Sequence, residues 1–186
     1  MDTDPGIETL MERYQRGDFT AAAALVNQLS PQLHRFFLVE FVSRQYADDL
    51  LQETWLRIHK VRHTYRPGQP VLPWLYAIAR HIRVDHYRKV RRSAIHEQRL
   101  DQNRDVPQPA RTVSANVPDL QEILGTLPES QREVIAMLKV AGMTLEEVAR
   151  ATSSSIGSVK QKAHRAYESL RVQLRYAGSV GKGEPS

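Results

Sequence analysis

Residues 144–171 read TLEEVARATSSSIGSVKQKAHRAYESLR, and this stretch decides the fold. It describes two short helices around a tight turn, the second basic and polar on its outer side. Thr144 followed by Glu147 has the spacing of a capping box, in which hydroxyl and carboxylate each satisfy an orphan backbone donor at a helix start. The first helix therefore begins near Leu145. Ala149 is small where the two helices must cross, Ser153 falls in the turn, and Val159 drops an apolar anchor back onto the first helix, as a helix-turn-helix requires. In the second helix Ile156, Val159, Ala163, Ala166 and Leu170 repeat at three or four residues, leaving Ser155, Ser158, Gln161, His164 and Arg165 outward. A short, polar, cationic face suits the base edges of a major groove. An amphipathic helical hairpin without a DNA role would share the polar face and the small crossing residue, so the turn-helix spacing, rather than charge, carries the reading.

The rest of the composition points the same way. The formal net charge of +5 and a pI near 9.6 favour a polyanionic partner. The excess is clustered: Arg80, Arg83, Arg88, Lys89, Arg91 and Arg92 stand against one acid, Asp85, and Lys160, Lys162, Arg165, Arg171 and Arg175 overlap the outer helix. Two separated basic helices suggest two contacts on one nucleic acid. There is no cysteine, which excludes disulfides, zinc ribbons and thiol sensing within the chain. No apolar run approaches the roughly 20 residues of a membrane span, and the start MDTDPGIETL is unlike a signal peptide. A cytoplasmic location is expected.

Outward from residue 144, apolar positions recur with helical spacing from Ile7 to about Lys89 and from Leu120 to about Leu174, with no strand-like alternation. Between them EQRLDQNRDVPQPARTVSANVPD has three prolines, few large apolar residues and no period, the composition of a solvated linker. The expected fold is all-α: two small helical domains, 1–93 and 119–176, joined by a flexible linker, 94–118, and followed by a disordered tail, 177–186. In the first domain one or two helices are expected from Leu10 to Leu29 and another from Pro31 to Ser43, with Leu33, Phe36, Phe37 and Phe41 in the core. The helix ADDLLQETWLRIHKVRHTY buries Leu50, Leu51, Trp55, Ile58 and Val61 and places Asp48, Asp49, Gln52 and Glu53 at its beginning. Carboxylates in a first turn complement the helix dipole, and this alone would account for Asp48 and Asp49. Gln52 and Glu53 extend the polar surface as a basic partner helix would require, and both readings stay open on physics alone.

The loop HTYRPGQPVLP follows, then the helix WLYAIARHIRVDHYRKVRR. Trp74, Leu75, Ile78, Ile82 and Val84 offer an apolar side, while Tyr76, Arg80, Arg83, Tyr87 and Arg88 combine rings with guanidinium groups. Such combinations hold unstacked bases by stacking and phosphate neutralisation. The alternative is that Trp74 and Tyr76 fill the core and the arginines form a solvated face.

Three of these segments, in this order, carry a resemblance. DDLLQETWL, residues 48–56, resembles the core-polymerase-binding helix of bacterial sigma factors. WLYAIARHIRVDHYRKVRR, residues 74–92, looks like the adjoining promoter-melting helix. LPESQREVIAMLKVAGMTLEEVA with GSVKQKAHRAYESLR looks like the fourth sigma region. Their order and the short length are similar to the extracytoplasmic function subfamily. The resemblance implies that Asp48, Asp49, Gln52 and Glu53 meet core RNA polymerase. It implies that the loop from His63 to Leu72, with Arg66, captures a base flipped from the minus-ten element of promoter DNA, and that Trp74, Tyr76, Arg80, Arg83, Asp85, Tyr87, Arg88, Arg91 and Arg92 serve minus-ten binding and melting. Ser155, Ser158, Lys160, Gln161, His164 and Arg165 would read the minus-thirty-five element. It also implies an anti-sigma factor, often membrane-bound, and a stress response. His81 stands where many members carry asparagine, and Ser153 where glycine is frequent in the turn.

The implied mechanism is differential binding with no covalent step, no cofactor, no metal and no small-molecule substrate. Opening becomes favourable because flipped bases gain a pocket and lose only stacking, about a few kcal/mol per base. With a net charge of only +5, the protein alone is expected to bind promoters poorly. A stand-alone helix-turn-helix regulator would instead bind DNA tightly without polymerase. A helical adaptor would leave both basic helices unexplained. An enzyme could be imagined at His59 and His63 or at Asp85 and His86, but neither pair has a third ligand at suitable spacing and no glycine-rich phosphate loop is present.

Overall fold

The computed structural model describes residues 5–40, 44–100 and 120–180, and these are all helix, turn or coil, with no strand among them. The first block holds α1 (Ile7–Gln15), α2 (Phe19–Glu40), α3 (Arg44–Val61), a 3-10 turn (Arg62–Thr64) and α4 (Val71–Leu100). The second holds α5 (Leu120–Gly125), α6 (Glu129–Ile135), a π turn (Ala136–Val140), α7 (Leu145–Ala151) and α8 (Ile156–Val180). No described helix is long and apolar enough to cross a membrane.

Asp18 starts α2. Its carboxylate accepts from the Thr20 hydroxyl, from the Thr20 and Ala21 backbone N–H groups at 3.0 and 3.2 Å, and from Arg13 at 2.9 Å. Those bonds satisfy donors that a helix start leaves open, and they hold the carboxyl well below the usual carboxylate range, the Thr20 hydroxyl first among the causes. From there α2 runs without a break through Pro31, where the sequence suggested two helices. Proline in a helix interior costs about 3 kcal/mol or more. Leu25 and Leu29 before it and Leu33, Phe36 and Phe37 after it are all buried on one side, so the packing of a single rod against the core outweighs the break. Phe41, also expected in the core, lies outside the described residues.

Two other boundaries shift. α3 begins at Arg44, so Asp48 and Asp49 sit a full turn inside the helix and no acid occupies its first turn. α4 begins at Val71 rather than Trp74, with Pro73 in its opening turn, where a missing N–H removes no intrahelical bond. α4 continues through residues 94–100, expected as linker, and α8 through residues 177–180, expected as tail. The rest of the linker and tail lies outside the described residues.

The helix-turn-helix forms as its sequence directs. Thr144 Oγ1 accepts from the Glu147 N–H at 3.2 Å while Glu147 Oε2 accepts from the Thr144 N–H at 2.8 Å, closing the capping box. Ser153 takes φ 51 in the turn, the left-handed region that disfavours a Cβ. Ser155 caps α8, its hydroxyl accepting from the Ser158 N–H at 3.1 Å. Val148, Ala149, Val159, Ala163 and Ala166 close the hairpin from inside.

The two helical blocks pack on each other. α4 packs on α7, and α2 packs on α5, α6 and the π turn. One continuous core contains Leu33, Phe36, Leu75 and Ile82 of the first block with Val134, Met137, Val148 and Val159 of the second. Val39 of α2 also packs against the cluster of Leu124, Leu127, Ile135 and Ala166.

Candidate polymerase and nucleic-acid interfaces

Three exposed surfaces emerge, each on its own element. On α3, Asp48, Asp49, Gln52 and Glu53 are all exposed and form two i, i+4 pairs on one side of the helix. Because they lie beyond the first turn, the dipole explanation loses its force there. Asp48 is 2.9 Å from His34 Nε2, with 63% of its side chain still in solvent. Leu56, 58% exposed, extends the same ridge. The sequence reading missed it. At 100° per residue it falls beside Gln52 and Glu53, so the helical period carried the signal. The opposite side is fixed by burial of Leu50, Thr54 and Ile58, the Thr54 hydroxyl donating to the Leu50 carbonyl at 2.7 Å, and by Trp55 donating to Ser30 Oγ at 2.9 Å.

The second surface is the loop before α4 and the solvent side of that helix. The sequence RPGQ makes a tight turn at its tip, with the Gln69 N–H donating to the Arg66 carbonyl at 3.2 Å and Gly68 at φ 77, the pattern of a type II turn with proline then glycine in the middle. Arg66, Pro67, Gly68 and Gln69 are exposed, whereas Tyr65 below them is 2% exposed. Trp74 packs edge-on against Tyr65 with ring centres 5.6 Å apart and donates to Thr64 Oγ1 at 3.1 Å, so it braces the loop from below while remaining partly open. Along α4, Asp85, Tyr87, Arg88 and Arg92 are exposed, with Arg88 3.9 Å from Asp85 and Arg92 Nε donating to the Arg88 carbonyl at 3.3 Å. The Arg91 side chain lies outside the described residues.

Tyr76, Arg80 and Arg83 do not belong to that surface in this arrangement. Tyr76 is 1% exposed, meets Phe36 edge-on at 5.2 Å, and its hydroxyl is pushed well above the ordinary phenol value by burial. It is core and cannot stack on a base. Arg83 is 4% exposed and bonds Glu133 at 2.8 Å and Glu129 at 2.9 Å across the block boundary. Arg80 bonds the same Glu133 oxygen at 2.9 Å. The sequence reading took both arginines as solvent-facing cations and gave Glu129 and Glu133 no part in holding them. Glu129 and Glu133 at i, i+4, facing Arg80 and Arg83 at i, i+3, were the available signal.

The third surface is the outer side of α8. Ser155, Lys160, Gln161, His164 and Arg165 are exposed and Ser158 is half-buried, while Val159, Ala163 and Ala166 face inward. The Ser155 oxygen accepts the capping bond and its O–H donor remains available. Tyr167 flanks this face, with Lys139 Nζ 5.9 Å from its ring centre. No group of metal-ligating side chains occurs among the described residues.

Residues 25–93 match the family model for sigma-70 region 2 and residues 119–170 that for sigma-70 region 4. The chain is 30% identical over 180 residues to the ECF RNA polymerase sigma factor SigF of Caulobacter vibrioides, covering 95% of this chain and 98% of that one. It is also 30% identical to the RNA polymerase sigma factor CarQ of Myxococcus xanthus, covering 88% and 95%. Among solved structures, the sigma factor RpoE from Bartonella quintana, complexed with the anti-sigma factor NepR, superposes with TM-score 0.68 at 25% identity, covering 85% of this chain and 97% of that one. CnrH, complexed with the cytosolic domain of CnrY, shares the fold at TM-score 0.70 and 22% identity, covering 91% and 97%.

Proposed function

The chain belongs to the sigma-70 family as an RNA polymerase sigma factor of the extracytoplasmic function type, and on that premise we propose how its surfaces divide the work. The α3 ridge of Asp48, Asp49, Gln52 and Glu53, with Leu56 beside it, docks on a basic helical surface of core polymerase. The α8 face sets register on duplex DNA at the minus-thirty-five element through Ser155, Ser158, Lys160, Gln161, His164 and Arg165, by phosphate and base-edge contacts together. The loop tip at Arg66 receives a base from the minus-ten element, and Asp85, Tyr87, Arg88, Arg91 and Arg92 follow the separated strand along α4. Strand opening is driven by binding: a flipped base costs about a few kcal/mol of stacking, and a site that exists only for the open strands returns it. The protein supplies no covalent chemistry.

Arg80 and Arg83 join the DNA contacts only once Glu129 and Glu133 release them, so the packed arrangement is a resting form that core polymerase and promoter must open. The protein alone is therefore a poor DNA binder, which is the opposite of a stand-alone regulator. An anti-sigma factor, as in the Bartonella complex, fits the same logic by holding the resting form, and the reading places the chain in the cytoplasm under a stress signal received elsewhere.

The observation that supports this most strongly is the α8 face, cationic and exposed on a helix whose other side is buried. Run-off transcription with bacterial core polymerase on genomic fragments tests it. Discrete start sites dependent on this chain are expected, and failure to direct initiation on any fragment refutes it.

A further inference from the structure

The polar side of α1 has no part in the functions described so far, and α1 lies outside the region-2 match, which begins at residue 25. The helix has two sides. Leu10, Met11 and Tyr14 are buried in the core. Glu8, Glu12 and Gln15 recur at i, i+4 and i+7 and so share the other face. All three reach the loop that precedes α4, and all three bond its backbone. Gln15 Nε2 donates to the carbonyls of Arg62 at 2.7 Å and Tyr65 at 2.8 Å. Glu12 Oε1 accepts from the Gly68 N–H at 3.3 Å. Glu8 Oε1 accepts from the Val71 N–H at 3.4 Å, one of the open donors at the start of α4. The loop is thus held at its entry, at the backbone of its tip and at its exit, while the tip residues remain exposed.

Charge argues that these contacts are positional. Two carboxylates beside a loop that meets a polyanion oppose the approach of phosphate, so their presence is unfavourable to simple DNA affinity. What they supply is a fixed backbone. An irregular loop without such bonds samples many conformations, and a pocket that must fit one base loses discrimination when its frame moves.

We infer that Glu8, Glu12 and Gln15 of α1 are positioning residues that set the conformation in which the Arg66–Gln69 tip discriminates the unpaired minus-ten base. This rests on the reading of that loop given under Proposed function. The test uses the full chain bound to core polymerase and a pool of single-stranded DNA with a randomised segment, sequenced after selection. Gln15→Glu, which exchanges the donor for an acceptor facing two carbonyls, is expected to reduce the selected base preference roughly tenfold through loss of two hydrogen bonds. Core binding and retention of a duplex pool selected through α8 should stay unchanged. Glu12→Ala should act in the same direction, and Glu12→Gln, which keeps an acceptor for Gly68, should restore the parental preference. If Arg66→Ala with Gln69→Ala leaves the preference intact, the reading of the loop itself fails. If the tip variant flattens the preference and neither Gln15→Glu nor Glu12→Ala does, the loop reading stands and the α1 inference is overturned. The inference is equally overturned if the α1 variants lower core binding and duplex retention as much as base preference, or if Glu12→Gln fails to restore it, since a merely structural helix would behave that way.

Discussion

Replacing Glu133 with glutamine should open the molecule without unfolding it. One Glu133 oxygen accepts from both Arg80, at 2.9 Å, and Arg83, at 2.8 Å, and the Glu133 and Arg83 side chains are only 6% and 5% exposed. Glutamine preserves shape and removes the charge, leaving Arg83 buried without the Glu133 carboxylate. Removing one partner of a buried pair costs about 3–5 kcal/mol, because the survivor stays desolvated. Here the survivor can return to water if α4 and α6 part, so the cost falls on the docking of the two blocks. At about 1.4 kcal/mol per tenfold change, the closed-to-open ratio should fall by about two to three and a half orders of magnitude. Glu129 is the internal control. Its side chain is 51% exposed, an exposed pair contributes about 0–1 kcal/mol, and Glu129→Gln should change the ratio less than about tenfold. With no native cysteine, single cysteines at Gln28 and Val172, both exposed, can carry a fluorescence donor and acceptor without background labelling. Energy transfer should drop in Glu133→Gln and hold in Glu129→Gln, with helicity by circular dichroism unchanged in both. Equal transfer in Glu133→Gln and parent, or equal opening by both variants, would refute the reasoning.

Asp49→Ala combined with Glu53→Ala should weaken binding to core polymerase while circular dichroism stays helical, because both side chains are exposed and α3 is held from its other side; undiminished capture in a core-polymerase pull-down contradicts this. Arg165→Ala should lower transcription from a cognate promoter more than it lowers polymerase binding, and its duplex affinity should lose about one unit of salt dependence. Equal losses in the two assays would instead point to misfolding. Ser153→Gly should stabilise the turn, since relief of a left-handed Cβ is worth about 1–2 kcal/mol against about 0.4–1 kcal/mol of added chain entropy in the unfolded state. Thermal unfolding should register a slightly higher midpoint, and a lower one would show that φ 51 carries no strain at this residue.

What could be read from the sequence was what depends on neighbours along the chain. The Thr144–Glu147 box, the position of Ser153 and the inward row of Val159, Ala163 and Ala166 are all set within one or two turns, and local physics sufficed. Pro31 misled for the complementary reason. Its local effect is to stop a helix, and only the burial of Phe36 and Phe37 farther along shows why this one continues. Tyr76 meets Phe36 of α2, the core alternative that the pattern had left open, whereas Arg83 was misplaced for a different reason. An amphipathic pattern assigns each helix one buried side, yet α4 meets α3 on one flank and α7 on another, and Arg83 on the nominally wet side is held by Glu129 and Glu133 of a block far away in sequence. The loop braces were illegible for a similar reason. Gln15 meets Arg62 and Tyr65 through backbone carbonyls, which no residue type announces.

The core that runs through both blocks also gives the resting form a thermal character. Parting them would wet apolar side chains such as Val39 and its neighbours Leu124, Leu127 and Ile135, and newly hydrated apolar surface raises heat capacity. The greasy share of the closure therefore slackens in the cold, whereas ions in solution erode mainly the half-exposed Arg83–Glu129 contact at its rim. On the proposed resting form, chilling and salinity would thus act on different parts of one lock.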